Sequence, residues 1–142
     1  MANYFSRFDS ERIVAAITAA EKGSSGEIRV HVTRRVPENL EERAARRFEL
    51  LGMTKTAERN GVLIYIAPRA RQFRILGDAA IHAKCGPEFW TEVASAMEAS
   101  FRKGEFTEGV VAGVERLGQV LARHFPRSTN DRDELPNEID EE

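Results

Sequence analysis

The stretch from Asn60 to Asp78, NGVLIYIAPRARQFRILGD, decides the fold. It opens on the turn pair Asn60-Gly61 and continues through Val62 to Ala67, all apolar and mostly β-branched or aromatic. A short basic segment, Pro68-Arg69-Ala70-Arg71, leads into a second run, Gln72 to Leu76, closed by Gly77-Asp78. Strand formers bounded by turn residues predict a β-hairpin. An unbroken apolar run predicts a strand covered on both faces. The rest of the chain is expected to supply that cover.

Upstream, Glu27 to Arg34 alternates. Ile28, Val30 and Val32 point one way; Glu27, Arg29, His31 and Thr33 point the other, the period of a strand with one apolar face. Asn39 with Glu42 three residues on resembles a capping box. It predicts a helix to about Leu51 with Leu40, Ala44, Phe48 and Leu51 as its apolar stripe and Gly52 at its end. Met53 to Arg59 reads as a polar, irregular connection. A strand, a helix and a strand imply a right-handed crossover with parallel pairing, and the turn at Pro68 to Arg71 makes the third strand antiparallel to the second.

At the chain start, Asp9 or Ser10 can cap a first helix bearing Ile13, Val14 and Ile17. Tyr4, Phe5 and Phe8 precede it as an arm expected to pack on the domain. Downstream, Asp78 can cap a short helix, Ala79 to Lys84. Gly86-Pro87 starts a longer helix striped by Phe89, Val93, Met97 and Phe101. Thr107 is expected to cap the last helix, which Pro126 terminates. The sum is an α/β domain: a small mixed sheet of at least three strands with four or five helices packed on it.

The chain has 142 residues, enough for one domain with its own core. Domain limits of 1–126 are expected, followed by an acidic tail, 127–142, in which seven acids face two arginines. Such a polar segment is expected to be mobile. Net charge is only −2 with both signs mixed, which gives no electrostatic case for nucleic acid. The single cysteine, Cys85, allows no intramolecular disulfide and fits a reducing compartment. The start, MANYFSRFDSERIV, lacks the pattern of a secretory signal. No apolar run approaches the roughly 18 residues of a membrane span. These features read as a soluble, cytoplasmic, monomeric protein.

No phosphate-binding glycine loop, nucleophile elbow or zinc-type Cys/His spacing is present. Lys84 beside Cys85 favours a thiolate, but no partner histidine is indicated. Of the three histidines, His31, His82 and His124, His82 is the one placed after a strand end, where α/β sheets commonly put their sites. Glu27, Glu58, Asn60, Asp78 and Glu88 form a loose set of oxygen ligands suited to Ca²⁺ or Mg²⁺. Hairpin geometry makes Asp78 and Asn60 spatial neighbours; the competing reading is that Asp78 caps a helix and Asn60 makes a turn. Arg69, Arg71 and Arg74 crown the hairpin, either as a solvated turn that discourages edge pairing or as a grip for phosphate or an acidic partner.

Four segments then carry a resemblance: SGEIRVHV (25–32), LGMTKTAERNGVLIYIA (51–67), FRILGDAAIHAKCGPEFW (73–90) and FRKGEFTEGVVAGVERL (101–117). Together they resemble the TPM domain family, which includes a thylakoid-lumen photosystem II repair protein. The ending RDELPNEI (132–139) looks like a short, soluble bacterial branch of it. The resemblance implies an α/β/α sandwich with a small central mixed sheet and divalent-cation binding in loops beside it. Acid phosphatase activity is attributed to the plant member. Two departures stand out. Asn60 replaces an acid found in many members, and Ala80-Ile81-His82 replaces Gly-Leu-Glu. Both remove a carboxylate, which Asp78 partly restores. The expected metal ligands are therefore Asp78, Asn60, Glu58, Glu27, Glu88 and His82. The expected function is a Ca²⁺- or Mg²⁺-binding, non-catalytic interaction or assembly module with a protein partner. The alternative is a metal-assisted acid phosphatase acting on phosphate monoesters.

Overall fold

The structure, a computed structural model, describes residues 8–127 and 139–141. Its sheet is built on the hairpin. Strand β2 (Gly61–Ala67) lies between β1 (Glu27–Val32), with which it runs parallel, and β3 (Gln72–Gly77), with which it runs antiparallel. A two-residue strand, β4 (Asp140–Glu141), adds in parallel to the outer edge of β1, so the order is β3-β2-β1-β4. Every residue of β2 is buried, as its composition requires.

Among the described residues five helices supply the cover: α1 (Ser10–Lys22), α2 (Leu40–Leu50), α3 (Ala79–Cys85), α4 (Glu88–Arg102) and α5 (Phe106–His124). They divide unequally. Val62, Ile64 and Ile66 of β2, with Ile28, Val30 and Val32 of β1, meet α1, α3, α4 and α5 in the main core. Leu63 and Tyr65, on the other face, meet Ala44 and Phe48 of α2 and Met53 of the turn after it. The result is an α/β/α sandwich. Burying a Val, Ile or Leu side chain contributes roughly 1.5–3 kcal/mol, so the alternation of β2 between the two cores holds both layers.

Local signals place the helices. Asp9 accepts from the Arg12 amide at 3.2 Å and starts α1; Asn39 accepts from the Glu42 amide at 3.1 Å and starts α2. The hairpin turn is a single 3₁₀ turn, Pro68–Ala70, after which Arg71 adopts a left-handed φ of 54°. Thr107 does not cap α5. That helix begins one residue earlier, and the Thr107 hydroxyl instead accepts from the Asp9 amide at 2.9 Å, tying α1 to α5. Arg12 and Glu108 pair across the same two helices at 2.6 Å.

Two further differences from expectation concern β1 and the tail. The polar face of β1 is as buried as the apolar one, because Glu27, Arg29, His31 and Thr33 lie on the α2 side of the sheet and are covered there. In the acidic segment, Ile139 packs against the main core and the next two residues form β4. Mobility is expected over all of 127–142; residues 128–138 and 142 of that segment lie outside the described residues. So do Tyr4 and Phe5 of the N-terminal arm; Phe8 is buried, its ring 6.0 Å from that of Phe106. Among the described residues no helix is long and apolar enough to cross a membrane.

Gly61 is where β2 enters the sheet, and it has no room for a side chain. A Cβ there would lie 2.9 Å from the Met53 carbonyl oxygen, a backbone atom that cannot swing aside. Gly61→Ala is expected to destabilise the fold by about 1–3 kcal/mol, read as a lower urea midpoint with an unchanged slope. A midpoint equal to that of the parent would show that the turn at Met53 yields freely.

Candidate functional site

The residues singled out from the sequence gather in part at the end of the sheet where β2 begins and β3 ends. The Asp78 amide donates to the Gly61 carbonyl at 2.9 Å, so the hairpin brings Asn60 and Asp78 together, as its geometry requires. Glu27 joins them, because it stands opposite Gly61 in the parallel register. Glu27, Asn60 and Asp78 are all buried. Glu58, His82 and Glu88 are exposed, in the loop before β2, on α3 and at the first residue of α4.

Asp78 is fully engaged. Its Oδ1 accepts from the Ala79 amide at 2.8 Å, which caps α3, and from an Arg59 guanidinium N–H at 2.9 Å; its Oδ2 accepts from Arg59 Nε at 2.6 Å. Burial works to raise the Asp78 pKa. The Arg59 hydrogen bonds, the Ala79 amide, the Arg59 charge and the His82 charge outweigh it and leave the carboxyl below its ordinary range. Asp78 is therefore an ionised acceptor at neutral pH. Arg59 has its own pKa raised by the hydrogen bond to Asp78 and then by its charge. Arg59 also sits at a left-handed φ of 54°, and its carbonyl accepts from the Ala80 amide at 3.1 Å. Backbone and side chain both clamp the residue to the start of α3.

Asn60 is held from two sides. Its amide donates to Thr56 Oγ1 at 3.3 Å and its Nδ2 to Ser25 Oγ at 3.1 Å. Its Oδ1 is a buried acceptor with no partner among the described residues. In the segment Ala80-Ile81-His82, Ile81 is buried in the core, while His82 is exposed with its ring 5.4 Å from that of Trp90. Cys85 is half-buried, and burial pushes its thiol pKa up, with Lys84 only partly opposing, so it is no poised nucleophile. Among the described residues, no three His, Cys, Asp or Glu side chains stand close enough to share a metal ion.

Sequence reading missed two residues. Arg59 is the first; the hairpin geometry that placed Asp78 beside Asn60 also reaches its neighbour, so the signal existed. Asp140 is the second. It shares a 2.5 Å hydrogen bond with Nδ1 of fully buried His31, whose ring stacks on Tyr65 at 4.8 Å, and it lies 3.8 Å from Arg47 of α2.

Comparisons with known proteins follow the same outline. The TPM domain family profile matches residues 1–120. Among solved structures, the BA42 protein from the psychrophilic bacterium Bizionia argentinensis is similar over 95% of both chains, at 40% identity and a TM-score of 0.89. The N-terminal domain of a P. gingivalis protein shares the fold, at 20% identity and a TM-score of 0.68, over 90% of this chain and 82% of that one. A search of curated proteins finds no match.

Because the folded-state pKa of Asp78 is depressed below its ordinary 3.8, its ion pair stabilises the fold above that pH and is lost as pH falls through the folded value. Arg59 is half-exposed, which limits the effect. Asp78→Asn, which keeps a capping oxygen, is expected to lower stability by about 1 kcal/mol at pH 7. Urea titrations should show the gap closing below pH 3.8. A gap that is constant down to that range and beneath it would mean that Asp78 is not held as an ion.

Proposed function

We propose that this chain, which belongs to the TPM domain family, acts as a non-catalytic interaction module that holds another protein. One observation carries the reading: the buried polar groups at the sheet end, Glu27, Asn60 and Asp78, lie outside the cleft along β3. Asp78 is consumed by Arg59 and the α3 cap. An open cleft of about 870 Å³ lies instead along β3, lined by Phe73, Ile75, Trp90, Ala94 and Glu41. Of the six residues marked in the sequence, only His82 reaches it. Hydrolysis of a phosphate monoester needs a nucleophile or activated water beside an acid–base pair. A carboxylate tied to a guanidinium supplies neither, whereas a cleft with aromatic, aliphatic and charged walls suits a polypeptide.

The phosphatase alternative is checked by incubating the full chain with para-nitrophenyl phosphate, with and without Ca²⁺ or Mg²⁺. No turnover above a heat-denatured control is expected, and Asp78→Asn should match the parent. Turnover by the folded chain that disappears in Asp78→Asn would overturn the interaction reading.

A second reading, divalent-cation binding, is favoured by the unpartnered Oδ1 of buried Asn60 beside ionised Asp78. These oxygens, with Glu27, suit a hard cation, but Arg59 already supplies the positive charge that Asp78 requires. A cation there has to displace Arg59. Titration of Ca²⁺ or Mg²⁺ is expected to shift the amides of Asn60, Gly61 and Asp78, with tighter binding in Arg59→Gln. Absence of localised shifts at millimolar metal in both proteins would end this reading.

A further inference from the structure

We propose that the free edge of β3 is a strand-addition site, which receives an extended segment of a partner polypeptide carrying an acidic residue at the hairpin end. This rests on the interaction reading above and names how that interaction is made. The first observation is the pattern of backbone groups. The Asp78 amide bonds the Gly61 carbonyl, so Gly61 and Asp78 are a hydrogen-bonded pair of the antiparallel ladder. Such pairs alternate with non-bonded ones. In the observed register, Leu76, Arg74 and Gln72 therefore turn their N–H and C=O groups toward β2, and Ile75 and Phe73 turn theirs outward. Among the described residues nothing bonds those outward groups. The ligand that satisfies a row of alternating donors and acceptors is another strand.

The second observation is that this edge lies inside a cleft. Arg71 to Ile75 line it in succession. One wall is a single stripe of α4, Trp90, Ala94 and Glu98, spaced at i, i+4 and i+8. The other is the start of α2, from Glu38 to Glu41. A strand added at the usual spacing of about 4.8 Å would lie between the two helices, with alternate side chains facing Trp90 and Ala94. The usual device against edge pairing is a charge across the edge. Arg74, which could serve, is ion-paired with Glu41 over the α2 face of the sheet.

Charge selects the occupant. Arg69 and Arg71 stand at the hairpin end of the edge, and no acid among the described residues pairs with either. An acidic residue of the added strand meets them there. The opposite edge of this sheet shows the same chemistry within the chain: the acidic strand β4 pairs with β1, and its Asp140 lies by Arg47.

The test uses the full chain and a blocked synthetic peptide, Glu-Glu-Val-Thr-Val-Thr-Val, with a second peptide of the same side chains N-methylated at alternate backbone nitrogens. At millimolar peptide, hydrogen exchange of the Phe73 and Ile75 amides is expected to slow at least tenfold. The methylated peptide should bind at least tenfold more weakly. Ala94→Arg, which fills the cleft from the half-exposed face of α4, should abolish protection, and Arg71→Glu should weaken it. Free exchange at Phe73 and Ile75, or equal binding of the methylated peptide, would overturn strand addition. Peptide contacts at Trp90 with those amides unprotected would do so while leaving the interaction reading in place, since the phosphatase assay decides that reading separately.

Discussion

A strand with no polar face has to be covered on both sides, and this domain is arranged around that requirement. β2 carries apolar side chains from Val62 to Ala67, and all of them are buried. In water such a strand is stable only between two layers. The sequence meets the need asymmetrically: four helices and the main core on one face, α2 and the Met53 turn on the other. The parallel pairing of β1 follows, because α2 has to cross the sheet to reach the second face. The burial of the polar side of β1 follows too. Once α2 covers Leu63 and Tyr65, it also covers what stands beside them in register: Arg29 opposite Leu63 and His31 opposite Tyr65.

Covering polar groups creates a second requirement, because each buried donor or acceptor needs a partner. His31 finds Asp140, and the chain returns to the sheet as β4 to provide it. The amide of Ile28 finds the Glu21 carboxylate at 2.8 Å. Asp78 finds Arg59 and the first amide of α3. In each case a polar contact joins two segments that the apolar core had already brought near. The polar contacts thus set where segments end and how they enter the sheet, while the apolar ones hold the layers together.

This division explains what the sequence made legible. The hairpin, the parallel crossover, the two caps at Asp9 and Asn39 and the five helices depend on local spacing, which a single chain displays. The meeting of Asn60 with Asp78 was legible for the same reason, since a hairpin fixes its own register. Thr107 was misread because a hydroxyl near a helix start looks like a cap whether it serves its own helix or, as here, the Asp9 amide of another. Asp140 was beyond reach: nothing local in an acidic segment states that one of its carboxylates meets a histidine 109 residues away. The separation of Glu58 and Glu88 from the buried set likewise depends on loop direction, which composition does not encode.

Charge balance around Asp78 bears on what chemistry the domain can host. The resemblance leads one to expect an acid at position 60. Two carboxylates would then meet at the end of β2, and a single guanidinium would not neutralise both. A divalent cation would relieve that repulsion. In this chain position 60 is a neutral amide and Arg59 balances Asp78, while Glu27 stands across the sheet end opposite Gly61. The electrostatic demand for a cation has been met by a side chain of the protein itself. The Asn60 Oδ1 beside Asp78 is a neutral acceptor, and a neutral oxygen attracts a cation far less than a carboxylate does. Ligand chemistry therefore favours the open edge of β3 over the sheet end, since among the described residues its outward backbone groups and the two hairpin arginines have no partner.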